Sequence, residues 1–560
     1  MIMKKIFKFY LLPALMLLSV NGCKKSFEDL TQNNNVPNSV PAALLFNGVL
    51  NDFPDLPDGA YSSSNQNSIV YNGTSNKDEI WCQYYIYNYN YYGNNTYDFD
   101  SGADYYTTLK NVVAMESQAA ASGGAAINPY EAMGKFFRAY FFSKMSLDRG
   151  DIPMTQALKG LANLTPAYDS QKSVMIQCLA WLESANSDLG QIIANPSIAG
   201  TGLGATLGGD IFFANNLAEW QKVVNAYHIR LLLELSKQAA DPQLNVPAQF
   251  SAIIGDPVKY PLMTSPADNL QYIFVGPSNY YPQNPDNFGQ SGSRQNSSQT
   301  YISLLTSFQD PRVFATAEPA RHLVDDLHQS PTAFSSFVGA DPGLDLGIMY
   351  ANANAQLYSF LNRHRYYSIY TGEPSIQIGY PEQMFNIAEG INRGWATGNA
   401  ETYYVAGIRA SMASYGIPVN GAFTAYFYRP GSTSVVSAGN YDAYTINTNW
   451  NTYYNQASVK YAGGTTGLTQ ILQQKYLALF RHSGLEAYYT WRRTGVPTFT
   501  TGPGTDNGQR IALRFQYPSS ERTANAANYH AALANQYGGN DDINGIMWLL
   551  VNSNITCSFR

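Results

Sequence analysis

Residues 128–148 read NPYEAMGKFFRAYFFSKMSLD, and this stretch decides the fold class. Apolar and aromatic side chains return every three to four positions, the spacing of one face of an α-helix, with no proline after Pro129 to interrupt them. Asn128 followed by Pro129 is a favourable start, because an Asn side chain accepts the first free N–H groups and proline has none to lose at the first helical position. Residues 102–122 keep the same period through Tyr105, Leu109, Val112 or Val113 and Met115 or Glu116, so the two segments predict a helical hairpin. A second pair is expected from Tyr168 to Ile192, opened by Asp169, and from Asn216 to Gln238, with Trp220, Val223, Val224, Tyr227, Leu231 and Leu235 on one face. A third pair covers 381–393 and 400–415, and a fourth 468–481 and 485–493. The expected fold is mainly α, with about four tetratricopeptide-like helical pairs forming a scaffold, although the repeat itself is weak in sequence. Segments 53–100, 255–300, 318–378, 429–465 and 498–520 lack such periodicity and read as long irregular loops, which in a compact protein normally carry function.

The amino terminus is of another kind. Lys4, Lys5 and Lys8 precede an apolar run from Phe9 to Val20 that closes on Asn21-Gly22-Cys23. About 12 apolar residues cannot cross a bilayer core that needs about 20, so the pattern predicts an export signal over 1–22 and not a membrane span. Gly22-Cys23 resembles the bacterial lipobox, in which the cysteine becomes the acylated amino terminus; Asn21 is unusual there, and the alternative is an ordinary cleaved signal with a chance cysteine. Acylation of Cys23 would anchor the protein to a membrane through several buried acyl chains. Residues 23–40, polar and rich in Asn, read as a tether, and 41–560 as a single domain, since no linker long enough to divide it is present.

Loss of Lys4, Lys5 and Lys8 moves the formal charge from −6 to −9, and no basic patch appears, which argues against nucleic acid as a ligand. Apolar residues make up 45% of the chain and charged ones only 13%, so a large core is available and the surface is neutral and polar. The 43 tyrosines exceed the 27 phenylalanines and 7 tryptophans together. Half-buried packing, ring inside and hydroxyl in water, is the expected role for most of them. Beyond Cys23, the odd number Cys82, Cys178 and Cys557 allows at most one disulfide and matches no zinc site.

Several short blocks then bring a family into view. Leu147-Asp148-Arg149-Gly150-Asp151-Ile152-Pro153 resembles the "GDIP" signature of the SusD/RagB lipoproteins of Bacteroidetes. In the expected order follow Pro166-Ala167-Tyr168-Asp169-Ser170-Gln171, Gly209-Asp210-Ile211-Phe212-Phe213 with Trp220, and Asp310-Pro311-Arg312. The clearest is Gln474-Lys475-Tyr476 with Glu486 and Trp491-Arg492-Arg493-Thr494-Gly495-Val496-Pro497, and Tyr517-Pro518 and Glu521 come after it. Met154-Thr155-Gln156 departs from the residues usual after the first block. The resemblance implies a helical tetratricopeptide-like fold and a non-catalytic nutrient-binding lipoprotein of the outer-membrane surface. It also implies a role as lid on a TonB-dependent barrel transporter (SusC-like), capturing oligosaccharide or, in some members, peptide. The chemistry of Glu486, Arg492 and Arg493 predicts helix-end ion pairing within the scaffold, not catalysis.

Ligand residues of that family lie in variable loops, so none is carried over by motif, and chemistry has to choose. Residues 81–106 crowd aromatic rings among short amides, and a neutral polyhydroxylated or peptidic ligand needs both. The candidates are Trp81, Tyr84, Tyr85, Asn88, Tyr89, Tyr91 and Tyr92; Tyr85, Tyr87, Tyr89 and Tyr91 alternate at period two and would share one side of a strand. Packing of that strand on the helices is the competing reading. Residues 278–299 supply a second wall through Tyr280, Tyr281, Arg294 and Asn296. Asp98, Asp100 and Asp104 alternate like a calcium loop but lack its later bidentate Glu. His322, Asp325, Asp326 and His328 bunch without usable ligand spacing. Gly200, Gly202 and Gly204 follow a helix where a nucleotide turn would follow a strand. No cofactor, metal or catalytic residue is expected. Two other readings stand beside the receptor: a structural or adhesive surface lipoprotein, and a glycoside hydrolase, which would need two carboxylates facing a cleft where the aromatic loops are poor in acids.

Overall fold

In the computed structural model, residues 39–52, 77–89, 94–100, 102, 104–278 and 280–551 are described. The export signal, Cys23 and most of the tether, Tyr91, Tyr92 and Cys557 lie outside them.

Pro129–Arg149 is one continuous helix. The Asn128 side chain accepts from Tyr130 N–H at 2.9 Å and Glu131 N–H at 3.1 Å, satisfying two of the donors that a helix start leaves free. The helix packs against Tyr106–Ala121 on one side and Gln171–Ala194 on the other, and the latter packs on Leu217–Glu234, so the first two expected pairs form one continuous layer. Phe136, Phe137 and Trp220 meet edge-on or tilted with centroids 5.2–6.1 Å apart, which places the aromatic core at the join of the pairs. Gly134 permits the close approach to Tyr106–Ala121, since a Cβ there would lie 2.0 Å from Glu116 Oε1. Tyr380–Asn392 and Ala400–Ser414 form the third pair; Gly464–Ala478 packs on both and is followed by Glu486–Thr494. The protein is mostly helical.

Asp169 does not cap the helix Gln171–Ala194. Ser170 is its N-cap. Asp169 instead accepts the N–H groups of Met154 and Thr155, both at 2.8 Å, and bridges Ile152 through the backbone, which ties the GDIP turn to the helix start.

Among the described residues, three two-stranded ribbons decorate the helices. Strand β1 is Tyr85–Tyr87, β2 Leu270–Tyr272, β3 Gln295–Ser297, β4 Ser375–Ile378, β5 Asn420–Tyr428 and β6 Tyr441–Asn449. β1 pairs with β3, β2 with β4 and β5 with β6, all antiparallel. The β5–β6 hairpin contradicts the irregular reading of 429–465. Its nine-residue register seats Ala425, Phe427, Tyr441 and Ile446 inward while neighbours face solvent, an alternation overlooked among the tyrosines and threonines.

Tyrosine abundance finds its reason in the irregular segments. Hydroxyls of Tyr84, Tyr404, Tyr488, Tyr517 and Tyr537 donate to the backbone carbonyls of Tyr476, Val459, Ala512, Asp151 and Arg149 at 2.6–2.7 Å. These phenols reach inward to backbone carbonyls, not outward to water as expected, so each ring contributes apolar area and places its hydroxyl on a main-chain acceptor.

Burial also sets the acid response. His228 is fully buried with Nε2 3.0 Å from Gln249 Oε1, and burial lowers its pKa to about 4. The unfolded chain takes up this proton near pH 6.5 and the folded chain refuses it until about pH 4. The contribution is therefore intact above about pH 6.5 and declines by about 1.4 kcal/mol per unit as the pH falls towards 4. His228→Asn should flatten the acid side of a plot of Tm against pH between 6.5 and 4.5; an unchanged slope would show that His228 is protonated in the fold.

Candidate ligand platform

The blocks that carry the family resemblance are scaffold. Arg493 binds Glu389 through both nitrogens of its fork and stands 3.7 Å from Glu234; Lys475 donates to Glu486 at 2.9 Å. Arg230 Nε donates to Glu382 at 2.7 Å. Ion pairing was expected here, but Arg492 takes a different part: it donates to the carbonyls of Leu513 and Leu147, both at 2.8 Å, and stacks on Tyr488 and Tyr489. Despite burial, the charges of Arg493 and Arg393 hold Glu389 at about 2. Arg493, Lys475, Arg230, Arg492 and the four glutamates are sealed from solvent, whereas Arg393 is partly exposed.

The two aromatic segments expected as opposing walls are hydrogen-bonded neighbours. Register pairs Tyr85 with Ser297, Ile86 with Asn296 and Tyr87 with Gln295. The ladder continues as Asn88 N–H donates to the Arg294 carbonyl at 3.0 Å and Asn88 Nδ2 to Asn296 Oδ1 at 2.5 Å. The period-two argument put the tyrosines on one side, but β1 is buried on both, so Tyr85 and Tyr87 are equally enclosed.

Most of the expected ligand residues are accordingly corrected to packing roles. Trp81 packs edge-on against Phe99 and Phe515 with Nε1 donating to the Thr96 carbonyl at 3.1 Å. Tyr84 stacks on Tyr476, centroids 4.5 Å apart. Tyr281 is fully buried and its hydroxyl accepts from Arg481 Nε at 2.7 Å. Asn88 and Asn296 are sealed in the ladder, and Tyr85 is fully buried. Their polar atoms cannot reach a ligand in this arrangement.

Two aromatic pairs remain open. Tyr89 is half-buried, with the Arg294 guanidinium 4.6 Å above its ring and the Tyr350 ring 5.2 Å away at 35°. Tyr350 is 37% exposed on the helix Leu346–Asn354, which Asp345 caps by accepting the N–H groups of Gly347 and Ile348. Tyr280 pairs with Tyr370 at 4.5 Å, and the Tyr370 hydroxyl donates to Asp286 at 2.9 Å. Tyr350 and Tyr370 were missed because 318–378 was read as featureless; an Asp three residues before an apolar turn is the cap signal that could have marked Tyr350. Chemically, the exposed parts of the Tyr89 and Tyr350 rings can meet the C–H surface of a ligand.

Among the described residues no three His, Cys, Asp or Glu side chains converge as metal ligands. His322 pairs with Asp326 at 2.8 Å, and Asp98 with Lys77 at 3.4 Å. Cys82 and Cys178 are buried free thiols. No described helix is long and apolar enough to cross a membrane.

The family described as starch-binding, associating with outer membrane, matches residues 51–518. The chain belongs to this SusD-like family. Its fold is similar to a SusD homolog from Bacteroides fragilis NCTC 9343 with 27% identity and a TM-score of 0.74, covering 91% of this chain and all of that one. An outer-membrane nutrient-binding candidate from Bacteroides vulgatus ATCC 8482 shares 29% identity with a TM-score of 0.72 over the same shares. A chitin-binding SusD homolog from Flavobacterium johnsoniae has the same fold at 20% identity and a TM-score of 0.64, covering 92% of this chain and 99% of that one. No curated protein matches the chain. SusD-like membership accounts for the buried Arg492, Arg493 and GDIP residues, which hold the shared scaffold, and assigns the chain to outer-membrane-associated nutrient binding.

Proposed function

We propose that this SusD-like chain is a non-catalytic surface receptor, anchored through acylated Cys23, that captures oligosaccharide and closes as a lid over a TonB-dependent barrel transporter. Peptide remains the second ligand class, because a guanidinium beside two tyrosine faces suits backbone carbonyls as well as sugar hydroxyls. The observation that carries the reading is the Tyr89–Arg294–Tyr350 platform. It lies where both aromatic segments meet, with Tyr89 half-buried and Tyr350 partly exposed. The Tyr280–Tyr370 pair extends the same surface chemistry.

Removing both open rings tests this. The Tyr89→Ala/Tyr350→Ala double variant should keep the Tm within a few degrees and weaken calorimetric affinity for maltohexaose or chitohexaose by at least about tenfold, since each ring–ligand contact contributes about 1 kcal/mol. Unchanged affinity would move the ligand away from this platform. Release of reducing sugar by the purified protein, abolished by one Asp or Glu substitution, would replace the receptor by the hydrolase.

A further inference from the structure

One end of the helical layer carries almost no charge. Residues 42–51, 117–130 and 189–218 include a single charged side chain, Asp210. Tertiary bonds bring these stretches together. Thr201 N–H donates to the Gly123 carbonyl at 2.8 Å, Gly204 N–H to the Ser122 carbonyl at 3.1 Å and Gly208 N–H to the Tyr130 hydroxyl at 3.0 Å. Asn47, on the helix Ala42–Asn51, donates from Nδ2 to the Gly209 carbonyl at 3.0 Å. The contacts are close: a Cβ on Gly209 would stand 2.0 Å from the Ala43 carbonyl oxygen. Asp210 is spent on its own turn, where it accepts from Phe212 N–H at 2.8 Å, Asn215 N–H at 2.9 Å and Trp220 Nε1 at 3.0 Å.

Large aliphatic side chains nevertheless stand in water here. Leu203 is 79% exposed, Leu44 62% and Ile211 42%. Elsewhere such exposure comes with charge, as at Val258 between Asp256 and Lys259 and at Leu327 after Asp326. Exposed aliphatics on a charge-free surface mark an interaction face. Connectivity says what covers it. The segment from Cys23 enters this fold at Ala42, beside Gly209, and the 18 residues 24–41 can span at most about 60–65 Å. A lipid surface that holds Cys23 is thereby brought to this end. The chain is acidic overall, so the end without free acids is the one that approaches anionic headgroups without repulsion. We infer that this end is a membrane-resting face, with Leu44, Leu203 and Ile211 seated among lipid headgroups. The inference rests on the reading of Cys23 as an acylated anchor.

A tryptophan at position 203 reads this out. The Leu203→Trp chain, purified from the membrane fraction, is placed in vesicles of phosphatidylethanolamine and phosphatidylglycerol. Its emission above the wild-type background should fall by about half when the acyl chains are brominated, because interfacial side chains sit about 5–10 Å into the headgroup–acyl boundary. Val436→Trp, at a 60% exposed site between β5 and β6, should keep its emission. Adding Leu44→Glu and Ile211→Glu to Leu203→Trp should leave Tm unchanged and remove the quenching. The intact mass of the same protein reports acylation of Cys23 and so separates the anchor from the face. Acylated, vesicle-bound protein with Leu203→Trp unquenched, or quenched no more than Val436→Trp, would overturn the face and keep the anchor. Shielding of Leu203→Trp from aqueous iodide only when a barrel co-purifies, without quenching by brominated lipid, would give the face to a protein and overturn the lipid. Cys23 without acyl groups would overturn anchor and face together.

Discussion

Arg493→Met is expected to lower the unfolding free energy by about 3–5 kcal/mol, the usual result of leaving buried charge without its partner. Arg493 is the hub between Glu389 and Glu234, both sealed from solvent, and no water can replace the guanidinium fork. The pH dependence distinguishes this from lost packing. Glu389 is held near 2 in the fold against an ordinary value of 4.5, so its contribution is present above about pH 4.5 and disappears as the pH falls through about 2. In the variant only Arg393 remains beside Glu389 and that contribution is reduced, so the gap between wild type and variant should be widest at neutral pH and narrow below pH 4. A gap independent of pH would mean that Arg493 acts through its volume. Arg493→Lys should recover only part of the loss, because a point charge on a flexible stem cannot span two carboxylates as a fork does.

Gly150→Ala is expected to cost about 2–4 kcal/mol. Gly150 lies at φ 97°, ψ −121°, where an L side chain is strained, and a Cβ would come within 2.2 Å of Gln536 Oε1 and 2.4 Å of the Tyr537 hydroxyl. Neither neighbour can retreat freely: Gln536 Oε1 accepts from Asp151 N–H at 2.8 Å and the Tyr537 hydroxyl donates to the Arg149 carbonyl at 2.6 Å. The GDIP turn is thus clamped by the carboxy-terminal helix Ala526–Tyr537. Gly160→Ala is the control, since that glycine is at φ +54° with open space around it and should lose only about 1 kcal/mol. Equal losses at the two sites in chemical denaturation would remove the argument for the clamp.

Helix periodicity made the scaffold legible. Asn128-Pro129 marked a helix start that the structure uses, and Trp220 fell on the buried face assigned to it, because a 3.6-residue period survives any detail of packing. The ligand surface was legible only in part. Tyr85 and Tyr87 looked like a sugar platform because a period of two says that residues share a face and says nothing of what covers it. Only the pairing with β3 and the layer around it settles that both faces of β1 are closed. Tyr89, two residues on, escapes because the ladder ends at Asn88. Arg294 was found from its neighbours in sequence, whereas Tyr350 and Tyr370 reach their partners through tertiary folding over 261 and 90 positions, distances at which local pattern carries no signal. The β5–β6 hairpin was hidden by its own composition, tyrosine and threonine on both faces blurring the alternation.

Purification of the full chain from gently solubilised outer membranes, with mass spectrometry of everything that accompanies it, is the decisive experiment for the receptor. A TonB-dependent barrel in stoichiometric amount is expected, with an oligosaccharide or peptide that is lost when Tyr89 and Tyr350 are both replaced by alanine. Recovery of the protein alone and empty would contradict the receptor and favour an adhesive role.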